Sequence, residues 1–386
     1  MITLYRNARL IDASGDRYGD LCTQDGIITS CAPLCWQRAD KVIDMRRNAL
    51  MPAFIDLHCH LRDPGYPEKE TMETGMRAAL KGGYAHLTAM ANTDPVMNTP
   101  ALVTANHEKA NRLHLCALTQ AAAAGEALGD TTPTDRESLS RVTRVLSNDG
   151  KTIFSDEFMR ELLLDSKKYG FLISTHCQPE RKIVERDINL LREVGGNLHI
   201  GHISRAETVD MVRRAKAEGL QLTCEVTPHH LFGWDNDYKV NPPLRTRADV
   251  EALIEGIKDG TIDCLATDHA PHTPADKANG MAGISNIEYA FQIYLKVFQE
   301  NNIPLTRLSE MLSLNPAKRL GIKAGLFLPG YAASVTALSV EEESEIDSLR
   351  MISRSHNTPF DGRKVMGRVL RTVIDGETRY EYNTAI

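Results

Sequence analysis

The chain has 386 residues, of which 42% are hydrophobic and 25% are charged, and its formal net charge is −6. These values are typical of a globular protein with one large domain and a smaller one. They argue against a nucleic-acid-binding surface, and no apolar run approaches the roughly 18 residues that a membrane span needs.

The cysteines and the first residues indicate a compartment. The eight cysteines are scattered and contain no Cys-x-x-Cys pair, so the pattern predicts neither a disulfide framework nor a thiolate metal site. The first sixteen residues lack the basic-then-apolar layout of a signal peptide. We therefore expect a cytoplasmic protein.

The two ends of the chain have similar patterns. Residues 1–48 alternate short apolar runs with turn residues, and residues 326–339 and 365–382 do the same. This pattern predicts that residues 1–50 and 326–386 combine into one small β-domain around a central domain of residues 51–325.

The central domain alternates strand-like and helix-like segments. Strands are predicted at 50–58, 84–91, 113–119, 142–147, 171–175, 197–201, 220–227 and 262–267, and helices at 70–81, 100–111, 156–169, 181–194, 205–218, 247–258 and 286–300. Eight such repeats predict an α/β fold, a (β/α)8 TIM-type barrel with a small β-sandwich domain built from the chain ends. An open doubly wound sheet is the alternative, but no strand is followed by a glycine-rich phosphate turn.

The first predicted strand of the barrel ends in His58-Cys59-His60. Alternate side chains of a strand share a face, so both imidazoles point the same way and suit one divalent transition metal. Taken alone, such a pair is more often structural than functional.

The other strands supply possible partners. Catalytic residues of a barrel lie at the carboxyl ends of its strands, and metal-competent side chains follow six of the eight predicted strands. They are His58 and His60, Asp149, His176, His202, Glu225, and Asp268. Imidazoles and carboxylates suit Zn²⁺ or a similar ion better than Ca²⁺ or Mg²⁺. This set exceeds the needs of one open site, which favours a two-metal centre that hydrolyses an amide-like carbonyl.

Several short motifs along the chain are similar to those of one known family. They are residues 56–65 (DLHCHLRDPG), 90–95 (MANTDP), 147–150 (SNDG), 201–204 (GHIS), 225–230 (EVTPHH), 240–245 (VNPPLR), 266–272 (ATDHAPH), 315–318 (NPAK) and 367–373 (GRVLRTV). In this order they cover most of the chain, which resembles the dihydroorotases of the amidohydrolase superfamily, in their long-chain bacterial class.

This resemblance implies a metal site with one or two Zn²⁺ per chain. One metal would be held by His58, His60 and Asp268, and a second by His176 and His202. Asp149 would bridge them, together with a hydroxide. Many relatives bridge with a carbamylated lysine, but residues 141–149 contain none. A modified Lys151 is the weaker alternative.

The resemblance also implies substrate contacts. Arg62, Asn92 and His272 would hold a ring carboxylate, and Asn241 and the backbone of Ala282 and Gly283 would hold the ring amides, beside His60. Asn92 could instead be only a turn residue before Pro95. His229 and His230 are expected to be structural, because the ligand set is complete without them.

The implied reaction is the reversible cyclisation of N-carbamoyl-L-aspartate to L-dihydroorotate and water in pyrimidine biosynthesis, with Asp268 as the catalytic proton shuttle. A related cyclic amidase, allantoinase-like or dihydropyrimidinase-like, and a non-catalytic scaffold are the alternatives.

A homo-oligomer is expected, and association with aspartate carbamoyltransferase is possible. The loop at 271–283 is either a movable lid or a plain surface loop.

Overall fold

The computed structural model describes residues 1–35 and 38–382, so Trp36, Gln37 and residues 383–386 of the predicted small domain lie outside the described residues. The strands are β1 Ile2–Asp12, β2 Gly15–Gln24, β3 Ile27–Ala32, β4 Lys41–Asp44, β5 Ala49–Pro52, β6 Phe54–Cys59, β7 Tyr84–Ala89, β8 Ala117–Gln120, β9 Val145–Leu146, β10 Leu172–Thr175, β11 Leu198–Ile200, β12 Leu222–Val226, β13 Cys264–Leu265, β14 Val335–Glu345, β15 Lys364–Ile374 and β16 Glu377–Glu381.

The α-helices are α1 Met72–Lys81, α2 Pro100–Leu113, α3 Arg136–Ser140, α4 Asp156–Tyr169, α5 Glu180–Val194, α6 Ala206–Ala217, α7 Pro228–Phe232, α8 Arg247–Lys258, α9 Pro274–Ala278, α10 Ala290–Glu300, α11 Leu305–Ser309 and α12 Asn315–Leu320. Short 3₁₀ turns lie at Glu126–Leu128 and Ser348–Arg350, and a π-helical segment at Glu310–Leu314 precedes α12. No helix in the described part of the chain is long and apolar enough to cross a membrane.

The two chain ends pair in one eight-stranded sheet of order β16-β15-β14-β5-β1-β2-β3, with β4 beside β1. The junction between the ends is the antiparallel pairing of β5 with β14, in which Pro52 lies opposite Val335. The β-rich patterns at both ends therefore meet in space, as the sequence predicts. The exact division into two domains stays a prediction.

The central strands are parallel, in sheets of order β6-β7-β8 and β13-β12-β11-β10-β9. Isolated parallel bridges join Ala122 to Leu146 and Cys59 to His269, and so connect the two sheets at both edges. Helices alternate with these strands along the chain, which confirms the α/β class.

The central strands lie at the eight predicted segments but are mostly shorter. The strand predicted at 50–58 is divided in two: Ala49–Pro52 forms β5, in the sheet of the chain ends, and only Phe54–Cys59 forms the central strand β6. The strand predicted at 113–119 begins only at Ala117, because Leu113 is the last residue of α2 and packs its side chain against the core from there. The helix predicted from residue 286 begins at Ala290. Asn286 instead turns its amide onto the carbonyl of Thr267. The spacing of apolar residues alone does not locate the first residue of such a strand or helix.

The helices form for local reasons. In α4, Ser155 caps the first turn by accepting a hydrogen bond from the backbone N–H of Phe158. Phe158, Leu162 and Leu163 bury one face against the strands. The helix ends at Gly170, whose φ of 79° is the left-handed conformation that glycine adopts without strain. Such helices hold the parallel strands in place, with the loops at the carboxyl ends free to carry the site.

Candidate metal centre and active site

Six buried imidazole and carboxylate side chains meet at the carboxyl ends of the parallel strands. His58 belongs to β6, and the others follow the ends of β6, β9, β10, β11 and β13: His60, Asp149, His176, His202 and Asp268. None is more than 7% exposed. The sequence predicts this set, and the structure brings all six together.

Asp149 lies at the centre of the group. One carboxylate oxygen is 3.2 Å from Nε2 of His58, 3.4 Å from Nδ1 of His176 and 3.4 Å from Nε2 of His202. The other oxygen is 3.3 Å from Nε2 of His60. A carboxylate that faces four imidazoles has the arrangement of a bridging ligand.

Asp268 completes one side of the group. Its Oδ1 lies 3.2 Å from Nε2 of His60 and 3.8 Å from Nε2 of His58. The ligand atoms of His58, His60 and Asp268 all lie within 4.8 Å of one another, and so do those of His58, Asp149 and His202. Both groups have the spacing that a single ion requires.

The donor set fits a divalent metal. Nε2 of His58, the ring nitrogen that faces Asp149, is fully buried and has no hydrogen-bond partner. Uncompensated buried polar atoms are rare and costly, so a nitrogen aimed into the cluster indicates a missing ligand. Burial by itself would raise the pKa of Asp149, but His58 and hydrogen bonds from His176 and His202 hold that pKa well below its ordinary value. The carboxylate of Asp149 is therefore ionised, as ligation of a metal would require.

Neighbouring side chains orient the rings of two predicted ligands. Nδ1 of His58 lies 3.0 Å from Oε1 of Glu225, and Nδ1 of His60 lies 2.9 Å from Oδ1 of Asn92. With the proton on Nδ1, each imidazole donates to this partner and presents Nε2 to the cluster, as metal binding would require. This is the usual way in which a protein orients a metal-binding histidine.

Glu225 extends this support further from the cluster. Its second oxygen accepts a hydrogen bond from Nε2 of His199 at 3.0 Å, and the hydroxyl of Thr223 donates to Nδ1 of the same ring at 2.8 Å. Burial opposes the charge on Glu225, but the two histidines lower its pKa to about 2. Glu225 is thus ionised and held by two rings.

Backbone strain accompanies the site. Arg62, His202 and Asp268 have φ values of 56°, 32° and 44°, in the left-handed region that side chains other than glycine rarely adopt. Such strain persists where the surrounding structure enforces it, and it concentrates at functional sites.

A cleft of about 280 Å³ opens onto the cluster. It is lined by all seven side chains or backbone segments that the sequence predicts as substrate contacts, namely His60, Arg62, Asn92, Asn241, His272, Ala282 and Gly283. A cavity of this size suits a small molecule rather than a polymer.

Arg62 and His272 face each other in this cleft. One terminal nitrogen of Arg62 lies 3.2 Å from Nε2 of His272, and Nε of Arg62 donates to the carbonyl of Pro271 at 3.2 Å. Burial, and then the charge of Arg62, lower the pKa of His272 to about 3, so this imidazole is neutral at pH 7. A guanidinium beside a neutral imidazole can bind one carboxylate.

Asn241 lies beside His176, one of the six side chains of the cluster. Its amide nitrogen lies 3.0 Å from Nε2 of His176, and its oxygen accepts a hydrogen bond from the side chain of Gln178 at 3.0 Å. Asn241 therefore connects the cleft wall to a predicted metal ligand, a contact that the sequence does not reveal.

The comparisons with known proteins agree with this geometry. The model of the amidohydrolase family matches residues 49–379. A dihydroorotase of Clostridium botulinum is 35% identical over 403 residues, covering 99% of this chain and 100% of the relative. A dihydroorotase of Caldanaerobacter subterraneus is also 35% identical, over 424 residues that cover 99% and 98% of the two chains. The chain belongs to the amidohydrolase family and, within it, to the dihydroorotases.

Solved amidohydrolase structures share the fold. The L-hydantoinase (dihydropyrimidinase) of Arthrobacter aurescens superposes with a TM-score of 0.91 and 21% identity, covering 100% of this chain and 97% of the other. The dihydropyrimidinase of Brevibacillus agri gives a TM-score of 0.88 at 20% identity, with 98% and 95% covered. At these identities the likeness concerns the fold alone.

Within this amidohydrolase site, the alternative bridge is not in position. Lys151 is exposed, and its Nζ donates to the carbonyl of Ala127 at 3.1 Å.

His229 and His230 are buried outside the cluster. His230 bonds to Thr227 and to the carbonyl of Pro242, as expected for structural residues.

Sequence reasoning missed a residue that supports the wall of the cleft. Asn357 lies far along the chain, between β14 and β15, yet its side chain contacts the loop that carries His272 and Gly283. No spacing rule connects residue 357 to residue 272. The only available signal is an asparagine before Thr358-Pro359 in a segment without helix or strand periodicity.

Proposed function

We propose that the chain is a dihydroorotase that catalyses the reversible cyclisation of N-carbamoyl-L-aspartate to L-dihydroorotate and water. Family membership supports a hydrolase that acts on a cyclic amide. The observation that carries the substrate assignment is the Arg62–His272 pair, which faces the same cleft as the buried cluster. A binding site for a carboxylate is thereby adjacent to the predicted reaction centre.

The cluster would hold one or two Zn²⁺. His58, His60 and Asp268 would form one half and His176 and His202 the other, and Asp149 lies within 3.4 Å of His60, His176 and His202. Metal binding here would polarise the substrate carbonyl and make water a nucleophile near neutral pH. Borderline nitrogen and oxygen donors support zinc as the proposed ion.

Asp268 is the proposed proton carrier. Its carboxylate is buried beside His60 and lines the cleft. Burial opposes its charge, but hydrogen bonding from His60 and the other histidines keep its pKa below the ordinary value, so it is ionised and able to accept a proton. In ring opening, Asp268 takes the proton that water loses and delivers it to the departing ring nitrogen. Cyclisation reverses these two transfers.

The cleft residues would orient the substrate. Arg62 and His272 bind the carboxylate that stays unchanged, and Asn92 contributes its remaining amide donor there, since its oxygen is used by His60. Asn241 and the backbone of Ala282 and Gly283 line the opposite part of the cleft, where the ring amides would lie. Binding at both ends holds the reacting carbonyl at the cluster.

A related cyclic amidase is the second candidate, because the similar solved structures include a hydantoinase and a dihydropyrimidinase. A shared fold with a metal at the buried cluster would serve either substrate. The half-buried Arg62 in the cleft argues against this candidate, since hydantoin and dihydropyrimidine rings carry no carboxylate for it to bind. The scaffold alternative conflicts with the retention of all six donor side chains.

For the architecture, we propose a closed (β/α)8 barrel of residues 51–325 with a small β-sandwich domain of residues 1–50 and 326–386. The parallel bridges from Ala122 to Leu146 and from Cys59 to His269 support closure of the eight parallel strands into a barrel. A homo-oligomer, association with aspartate carbamoyltransferase and a cytoplasmic location stay predictions.

The test is a substrate comparison with the purified, metal-loaded chain. We expect turnover of N-carbamoyl-L-aspartate and of L-dihydroorotate, and little or none of dihydrouracil, which has the ring but no carboxylate. Preferred turnover of dihydrouracil would favour the second candidate, and no turnover of any of the three would favour a scaffold.

A further inference from the structure

Asn357 connects the segment before β15 to the substrate loop. Its side-chain oxygen accepts hydrogen bonds from the backbone N–H of His272 at 2.9 Å and from the hydroxyl of Ser285 at 2.7 Å. Its amide nitrogen donates to the carbonyls of Gly283 at 3.1 Å and Ala270 at 3.4 Å. The backbone of Asn357 accepts a further bond from Ser285 N–H at 2.9 Å. One residue thus fixes both ends of the loop from 270 to 285.

The loop that Asn357 holds carries the proposed carboxylate site. His272 and Gly283 line the cleft, and Arg62 bonds to the carbonyl of Pro271 and contacts the ring of His272. The position of the guanidinium therefore depends on the backbone at residues 271–272. That backbone is in turn held by the hydrogen bond from the N–H of His272 to the side chain of Asn357.

We propose that Asn357 is a positioning residue for substrate binding, which sets the geometry of the Arg62–His272 pair without touching the substrate. This inference rests on the proposed function, because it assigns the pair to the carboxylate of the substrate.

The chemistry of the position requires an amide. An asparagine side chain has an acceptor and a donor in one plane, and the surrounding loop uses both. An aspartate would keep the acceptor for His272 but would present a charge to the carbonyls of Gly283 and Ala270. An apolar residue would leave these backbone groups without their partner.

The segment that carries Asp268 is held in place by hydrogen bonds that do not involve Asn357. The backbone N–H of Asp268 donates to the carbonyl of His58 at 2.9 Å, and Thr267 is bonded through its backbone and its hydroxyl to the buried Asp56. Loss of Asn357 should therefore disturb substrate binding and leave the cluster in place.

The experiment measures KM, kcat and bound metal for Asn357→Ala and Asn357→Asp in the full chain. We expect KM for N-carbamoyl-L-aspartate to rise roughly tenfold in both variants, with kcat within about twofold of the wild type and metal content unchanged. Ser355→Ala is the matched control, because Ser355 lies in the same segment but donates to the carbonyl of Lys69. Its KM should equal that of the wild type.

Hydrogen exchange provides a second measurement. The amide of His272 should exchange faster in Asn357→Ala than in the wild type or in Ser355→Ala, because its acceptor is gone. If Asn357→Ala does not fold, Asn357→Asp, which retains the acceptor, supplies the kinetic result.

The outcomes separate this inference from the proposed function. Wild-type turnover with an unchanged KM in both Asn357 variants would overturn the inference and keep the function. Loss of metal or of kcat at constant KM would also overturn it, because Asn357 would then support the metal half. A metal-loaded wild-type chain without turnover would overturn both.

Discussion

Oε1 of Glu225 lies 3.0 Å from Nδ1 of His58, and both side chains are no more than 1% exposed. The contact orients the ring of His58 so that Nε2 is directed at Asp149. The carboxylate of Glu225 is bonded to His58 and His199 and is not among the side chains that line the cleft, so we expect it to act on the reaction through His58.

Substitution of Glu225 should weaken metal binding. Glu225→Gln preserves size but removes the charge that holds His58 and His199, and we expect metal affinity to fall by about ten- to a hundredfold. Chelator competition measures this affinity. Glu207→Gln, at an exposed glutamate on α6, is the control. Equal affinity in Glu225→Gln and the wild type would show that Glu225 does not orient the ligand.

The bridge can be assigned by two substitutions in neighbouring positions. Asp149→Asn removes the carboxylate that faces four histidines and should abolish binding of at least one metal, as measured by elemental analysis. Lys151→Met should retain the full metal content, because Lys151 is exposed and bonded to Ala127. Metal loss in Lys151→Met would instead support a modified lysine as the bridge.

Arg62→Met tests the carboxylate site. It keeps a side chain of similar reach but removes the charged donors, so kcat/KM for N-carbamoyl-L-aspartate should fall by roughly a thousandfold while bound metal is unchanged. Steady-state kinetics and elemental analysis are the measurements, and Arg181→Met, at an exposed arginine, is the control. Unchanged turnover in Arg62→Met would refute the assignment.

Gly283 permits a close approach between two parts of the substrate loop. An added Cβ would lie 2.6 Å from the carbonyl oxygen of Ala270 and 2.7 Å from Cδ2 of His272, at a φ of +146°. Gly283→Ala should therefore destabilise the loop by about 1–3 kcal/mol and raise KM.

Gly280→Ala is the matched control for this substitution. Gly280 also has a positive φ, of +77°, but its added Cβ would meet only the flexible end of Lys239 at 3.3 Å. We expect a KM close to that of the wild type. A similar KM in both glycine variants would mean that the contact with Ala270 and His272 is unimportant for binding.

The sequence predicts most of the cluster for a simple reason. Parallel strands with intervening helices bring their carboxyl ends to one edge, so residues as distant as His58 and Asp268 are expected there without knowledge of any contact. The order of the strands and the positions of their ends are sufficient for this prediction.

The hydrogen bonds that support the site residues could not be predicted in this way. The bonds of Asn357 to His272 and of Asn241 to His176 depend on the path of irregular segments, for which no periodicity exists. Similarly, Leu113 is apolar whether it ends a helix or begins a strand, so the start of β8 could not be located. Positions in loops are determined by tertiary contacts rather than by local pattern.

The central claim is that the buried cluster binds the metal on which dihydroorotase activity depends. The most direct test is the rate at which chelator-stripped protein forms L-dihydroorotate from N-carbamoyl-L-aspartate as Zn²⁺ is added back and bound metal is counted. We expect no activity in the stripped protein and a rate that rises with bound metal to one or two ions per chain. Full activity without metal, or inactivity of the loaded protein, would contradict the account.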